Sequence, residues 1–238
     1  MPALREGSHI RAIAPAGTFD PTQFDEGVWR LSSRYRVTYD EGVHDREGYL
    51  AGSDERRERE LREALEDPDV DAIVAVRGGY GSMRIADRFD VETVRRAKKL
   101  LVGFSDVTAL HALWQRAGLC SIHGAMIAAL GRGDPALVER WSRAVEGAVP
   151  PPVTGLTAIA EGRAEGPLIG GNLALLAAMT GTPLAPPVDG AILFLEDVGE
   201  APYRVDRMLT QLELAGTLER ARAHGDDGAQ LRLRAAHA

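Results

Sequence analysis

Cysteine is almost absent: the 238 residues contain one, Cys120. A single thiol forms no intrachain disulfide, so a reducing compartment is the natural setting. Cys120 reads as a small buried apolar residue. Long hydrophobic runs are also lacking. The longest strongly apolar stretch, Leu173 to Met179, is far too short to span a bilayer. The first residues carry no apolar core of signal-peptide length and no small-residue cleavage site. These absences set the expectation of a cytoplasmic protein. Positive charge is in deficit as well. The net charge of −7 offers no electrostatic attraction to nucleic acid or to an anionic membrane, so neither is an expected partner.

What is present is ordinary for a globular chain: 45% hydrophobic and 26% charged residues, enough for one large or two modest domains. Short apolar runs alternate with amphipathic stretches through the first 148 residues. Ile10 to Ala14, Tyr35 to Tyr39, Asp71 to Val76, Leu100 to Gly103 and Leu119 to Ile122 read as strands. Pro21 to Leu31, Arg56 to Leu65 and Val107 to Arg116 read as helices. Ser53 is an N-cap with Asp54 and Glu55 in the first turn, where the helix dipole favours anions. The dense charge that follows reads as a solvated face. Strands separated by helices predict βαβ units and a largely parallel sheet, with sites at the strand carboxyl ends.

The pattern breaks at three consecutive prolines, Pro150 to Pro152, which mark a linker. The fold class is therefore α/β: an N-terminal parallel-sheet domain over 1–148 and a smaller domain over 153–238. In the second, Val153 to Ile159 and Ala191 to Leu195 read as strands, and Leu173 to Met179 and Arg204 to Leu214 as helices. From Leu218 on, apolar periodicity is lost and the chain reads as frayed.

Three segments could carry chemistry. In Gly103-Phe104-Ser105-Asp106 a serine stands between a buried strand and a helix, where its hydroxyl is exposed at a sharp turn and helix amides face a developing oxyanion. The match to G-x-S-x-G is partial, because Val107 occupies the last glycine position. An N-cap role for Ser105 fits the same spacing. In Arg77-Gly78-Gly79-Tyr80-Gly81 the glycines permit positive φ, and their amides suit an oxyanion hole, a phosphate cradle or simply a tight turn. The segment is not a P-loop, since no Lys-Ser or Lys-Thr follows at the required spacing. In Leu195-Glu196-Asp197-Val198-Gly199-Glu200 three carboxylates follow a strand. One of them suits the orientation of a catalytic imidazole, and a metal ligand or a polar rim remains open. No spacing elsewhere completes a metal set, so neither metal nor cofactor is expected. His123 ends an apolar strand and reads as structural or site-lining; His111 reads as packing. His9 and His44 have no motif around them.

Taken in order, Arg77-Gly78-Gly79-Tyr80-Gly81, Gly103-Phe104-Ser105-Asp106, His123-Gly124, Gly170-Gly171-Asn172-Leu173, Leu195 to Glu200 and Pro202-Tyr203-Arg204-Val205-Asp206-Arg207 resemble the LD-carboxypeptidase family of serine peptidases. That family includes murein tetrapeptide carboxypeptidases and microcin C immunity proteins. The resemblance implies an α/β domain joined to a mostly β C-terminal domain, with the active site between them. It implies Ser105 as nucleophile, Glu196 as the acid of the triad, and the amides of Gly79 and Asp106 as the oxyanion hole. Arg77, His123 and Asn172 are then substrate-binding candidates. It further implies a metal-free homodimer that releases D-alanine from a cytoplasmic murein peptide at an L,D bond.

The family histidine lies in a Gly-His motif well downstream of Arg207, and no such segment follows here; His224 precedes Gly225 instead. The expectation is thus a C-terminal domain incomplete relative to the family. The alternative to an active enzyme is a catalytically impaired or peptide-binding homologue, and a nucleotide-binding α/β protein is a weaker third reading.

Overall fold

The computed structural model describes residues 3–149, 151–158 and 162–221. Two compact units divide the chain, residues 1–150 and 151–238.

The first unit runs β1 (His9–Ile13), α1 (Pro21–Ser32), β2 (Arg36–Thr38), α2 (Asp54–Glu66), β3 (Ala72–Ala75), α3 (Ser82–Ala86), α4 (Val91–Ala97), β4 (Leu100–Gly103), α5 (Thr108–Arg116), β5 (Ile122–His123), α6 (Ile127–Arg132) and α7 (Pro135–Val145). All five strands are parallel, in the order β2-β1-β3-β4-β5. Alternate residues point to opposite faces of a strand, yet Ile73 and Val74 are both fully buried. Both faces of the sheet are therefore covered, which is why its central strands read as unbroken apolar runs rather than as alternation. The order reverses direction between β1 and β3, the topological switch point at whose carboxyl edge sites of such sheets form.

Small residues set the closest helix contact. A Cβ on Gly131 of α6 would lie 1.9 Å from the Gln23 carbonyl of α1, and one on Gly27 would lie 2.2 Å from the Ile127 carbonyl. The two helices can approach this closely only because both positions lack a side chain.

Within the second unit, β6 (Leu168–Asn172) and β7 (Ile192–Glu196) form a parallel pair, accompanied by α8 (Leu173–Met179), α9 (Pro202–Leu214) and α10 (Thr217–Arg220). The α/β class with a smaller second unit is what the sequence implied. Beside the two-stranded sheet, the described residues of that unit carry three helices.

Some local expectations are corrected. Residues 153–158 form no strand; they are exposed and irregular, and the prolines just before them remove backbone donors. Residue 159 lies outside the described residues. Leu218 to Arg220, placed in the frayed tail by composition, belong to a helical turn, Thr217–Arg220, entered through Gly216 in the left-handed region. His224, Gly225 and His237 lie outside the described residues. Cys120 is exposed, because it falls in the loop before β5 rather than in the strand.

The largest departure is α2. Its cap and first turn are as expected: Ser53 Oγ accepts from the Arg56 amide at 3.2 Å. Its charges are only in part a solvated face: Glu55, Arg59, Glu63 and Glu66 are exposed, but three others are not. Arg56, Arg57 and Glu60 are buried, Arg57 completely. They turn toward the loops that follow β1 and β3, where backbone carbonyls and amides need partners.

Candidate active site

Ser105 follows β4 through Phe104 and opens a 3-10 turn, Ser105–Val107, that runs into α5. Its φ is +60°, left-handed for a residue with a side chain. Such a conformation costs on the order of 1–3 kcal/mol and persists only where the surroundings enforce it. Val107 packs the inside of this corner. Its side chain is fully buried, and a Cβ on Gly103 would sit 2.7 Å from Val107 Cγ1. Glycine at 103 and a buried anchor at 107 together make the corner sharp. No side chain caps the 3-10 turn or α5, so Ser105 is not an N-cap. It stays partly exposed.

The glycine loop lies against this corner. A Cβ on Gly78 would stand 3.1 Å from Ser105 Cβ, 3.2 Å from Ser105 Oγ and 3.4 Å from the Asp106 amide nitrogen. Gly79 and Gly81 have φ of +110° and +130°, conformations that L side chains rarely adopt. The loop after β1 closes the other side, with the Gly17 amide donating to the Gly78 carbonyl at 3.0 Å.

Asp106 is buried, and its Oδ2 accepts from the Ser82 amide at 2.8 Å. Burial pushes its carboxyl above the ordinary aspartate value, while the amides of Ser82 and Gly81 and the charge of Arg57 pull the other way. On the far side of the loop, Arg57 Nη1 donates to the Gly81 carbonyl at 2.9 Å and to the Pro15 carbonyl at 2.7 Å. Arg57 is paired with Asp54. Next to it, Arg56 donates to the Ala14 carbonyl at 2.8 Å and pairs with Glu60, whose Oε2 accepts from the Ala14 amide at 2.8 Å. Burial pushes Glu60 up to about 7 against the pull of Arg56.

Arg77 is exposed, with its guanidinium held on the Thr18 carbonyl. His123 pairs in register with Gly103 and is exposed, with its ring centroid 6.0 Å from those of Phe104 and His111. His111 is not mere packing: its Nε2 lies 2.9 Å from the Gly103 carbonyl and its Nδ1 2.7 Å from Ser121 Oγ. His9 is likewise engaged, with Thr38 Oγ1 at 2.7 Å, and His44 stacks among Phe19, Phe24 and Tyr39.

In the second unit, Asn172 and Glu196 are register partners on β6 and β7. Asn172 Oδ1 accepts from the Leu175 amide at 3.1 Å, capping α8, and its side chain also hydrogen-bonds Glu196. Burial, with Asp197 adding to it, pushes the Glu196 carboxyl up, and Asn172 lowers it. The three carboxylates of this segment have separate partners. Asp197 Oδ2 accepts from the Ala174 amide at 3.1 Å, and Glu200 pairs with Arg204 at 2.7 Å. Among the described residues, no group of three His, Cys, Asp or Glu could hold a metal ion, and no helix is long and apolar enough to cross a membrane.

The predicted residues thus fall into two sets. Ser105 and Asp106 stand at the carboxyl end of β4 with Gly78 of the loop after β3 against them; Gly79, the next residue of that loop, faces Gly17, Arg77 opens the loop, and His123 lies on the neighbouring strand. Glu196 and Asn172 come together on the small sheet. The side chains that sequence reasoning missed are Arg57 and the carboxylate of Asp106. The one available signal was an arginine four residues after the Ser53 cap, and it does not distinguish a buried from a solvated guanidinium.

A doubly wound parallel sheet with a strained serine corner beside a glycine loop defines a serine-hydrolase class of α/β protein. Known proteins narrow the class. Residues 10–124 match the LD-carboxypeptidase N-terminal domain and residues 165–224 the LD-carboxypeptidase C-terminal domain. A probable murein peptide carboxypeptidase of Bacillus subtilis (strain 168) is 37% identical over 91% of this chain and 70% of its own length. The murein tetrapeptide carboxypeptidase of Pseudomonas aeruginosa is 36% identical over 85% of this chain and 70% of its own length. The crystal structure of a muramoyltetrapeptide carboxypeptidase from Oxalobacter formigenes superposes with a TM-score of 0.77 at 35% identity, covering 90% of this chain and 74% of that one. The chain belongs to the LD-carboxypeptidase family of serine peptidases.

Proposed function

We propose that this protein is a serine carboxypeptidase acting on murein peptides, with Ser105 as nucleophile. The observation that carries the reading is the +60° φ of Ser105, a strained corner set against the glycine loop. In this reading Ser105 Oγ attacks the carbonyl of the terminal peptide bond. The amides of Gly79 and Asp106 receive the oxyanion, each contributing about 3 kcal/mol to the lowered barrier. Loss of the terminal amine leaves an acyl-serine that water hydrolyses.

The proton of Ser105 passes to an imidazole oriented by Glu196, which Asn172 holds in turn; the family gives that role to a histidine in a later segment. Four of the six histidines lie within the described residues. Among them, His111 and His9 are buried and engaged in hydrogen bonds of their own. Arg77 supplies a cation for the free carboxylate that defines a carboxypeptidase substrate, and His123 and Asn172 line the peptide. The similar carboxypeptidases support a murein peptide as substrate; the reading adds that this peptide ends in D-alanine and is cleaved at its L,D bond in the cytoplasm by a homodimer that needs no metal or cofactor.

The test is to incubate the full chain with a murein tetrapeptide and follow free D-alanine. Wild type is expected to release it and Ser105→Ala is not. Equal rates in the two proteins, or no release from either, would overturn the reading.

A further inference from the structure

Arg57 is the odd residue of the first unit. A guanidinium with no exposed surface carries a large desolvation cost, and an apolar side chain of similar volume commonly serves stability as well or better. An apolar side chain cannot bond two backbone carbonyls at once. Arg57 does, joining the Pro15 carbonyl in the loop after β1 to the Gly81 carbonyl in the loop after β3.

The second bond falls on a particular peptide group. The Gly81 carbonyl and the Ser82 amide belong to the same peptide plane. Arg57 Nη1 holds its oxygen at 2.9 Å and Asp106 Oδ2 holds its N–H at 2.8 Å. A buried cation and a buried carboxylate thus grip one peptide dipole from opposite ends, each facing the pole of opposite sign. Nothing at Gly81 leaves room to slip. A Cβ there would lie 2.6 Å from Arg57 Nη1 and 2.8 Å from Leu50 Cδ2. The gripped peptide ends the loop that begins at Gly78, whose Cα faces Ser105, and Asp106 is the residue next to Ser105 in sequence.

We infer that Arg57 and the Asp106 carboxylate are positioning residues that clamp the Gly81–Ser82 peptide and so set the Gly78–Gly81 loop against Ser105. This rests on the reading of Ser105 as nucleophile. The two residues act through the amides they place and touch no reacting atom. The clamp works because Gly79 and Gly81 are held at φ values far from the common wells, and a loop of glycines has many other conformations to leave for.

The test uses the full chain and four variants: Arg57→Met, Arg57→Lys, Asp106→Asn and Ser105→Ala. Two quantities are read on folded protein, with the thermal midpoint recorded alongside. One is the rate of covalent labelling by a fluorophosphonate probe; the other is amide hydrogen exchange across residues 78–82. A displacement of about 1 Å in a reacting site costs about 100-fold. Arg57→Met is expected to label about 100-fold more slowly, with faster exchange confined to 78–82. Arg57→Lys, which keeps the charge, is expected to recover part of the rate. Asp106→Asn, which keeps the shape and the backbone amide, is expected to lose about 10-fold, as the grip on the peptide loses its charge.

Should Arg57→Met fail to fold, Asp106→Asn decides alone. Variants with a lowered midpoint but wild-type labelling and exchange at 78–82 would overturn the clamp and leave Ser105 standing. A wild type that the probe does not label, or that labels no faster than Ser105→Ala, would overturn both.

Discussion

The imidazole of His111 donates from Nε2 to the Gly103 carbonyl, 2.9 Å away and two residues before Ser105. A carbonyl only accepts, so Nε2 carries the proton and Nδ1 accepts from Ser121 Oγ at 2.7 Å. The same carbonyl accepts from the Gly124 amide at 3.0 Å. Strand β4 is thereby tied to α5 and to β5 just where it turns into the serine corner.

This arrangement depends on pH. Burial holds His111 down at about 4, below its ordinary 6.5, so the folded state prefers the neutral ring. Its contribution is complete above pH 6.5 and is lost as pH falls through 4. That is on the order of 3 kcal/mol. His111→Gln, whose amide keeps a donor and an acceptor, is expected to show a shallower loss of urea midpoint between pH 6.5 and 4. Parallel curves for wild type and variant would count against the assignment.

Glu60 has the opposite sign. Its carboxyl is pushed up to about 7 from 4.5, so the folded state prefers the protonated form. The stability it contributes is complete below pH 4.5 and is lost as pH rises through 7. Between 4.5 and 6.5 it offsets His111, and the clearest window is above that. Wild type is expected to lose thermal stability from pH 6 to 8, with a flatter slope in Glu60→Gln. An unchanged slope would show that Arg56 fully compensates the buried charge.

The strain at Ser105 has a consequence for stability separate from catalysis. Left-handed backbone costs a residue with a Cβ roughly 1–2 kcal/mol, and glycine nothing, although glycine is freer in the unfolded chain by roughly 0.5–1 kcal/mol. Ser105→Gly is therefore expected to be more stable than Ser105→Ala by up to about 1 kcal/mol in chemical denaturation. The reverse order would mean that the corner is unstrained.

The α1–α6 crossing gives a prediction about the core. A Cβ at 131 would meet the Gln23 carbonyl at 1.9 Å and the Gly27 nitrogen at 2.7 Å, both backbone atoms that no rotamer change can move. Gly131→Ala is expected to cost 3 kcal/mol or more, at or beyond the upper end of about 1–3 kcal/mol typical of overpacked cores. Gly7→Ala meets nothing within 4 Å, so it reports only the backbone cost of its +80° φ. Equal melting temperatures for the two variants would refute the close crossing.

Much of the molecule was legible in the residues alone. Apolar runs such as Leu100 to Gly103 read as central strands, because a short strand covered on both faces buries consecutive apolar positions. The boundaries of α8 agree with the sequence reading to the residue, since Asn172 caps it and Thr180 ends it. Short elements such as α3 and β5 were illegible or misplaced, since five and two residues carry too little periodicity to be read. Residues 153–158 were misread because an apolar, β-branched run makes a strand only where a partner edge exists.

For the site, sequence by itself determined which residues stand at strand ends: Ser105 after β4, the glycines after β3, Glu196 at the end of β7. Those positions follow from local pattern, which each segment carries within itself. Tertiary structure decided the rest. It chose the strained corner over the N-cap for Ser105, buried Arg57 where composition reads a solvated helix, and joined Asp106 to Ser82 across 24 positions of chain. Burial and long-range hydrogen bonding depend on what the remainder of the chain lays against a residue, and no window of neighbouring sequence contains that information.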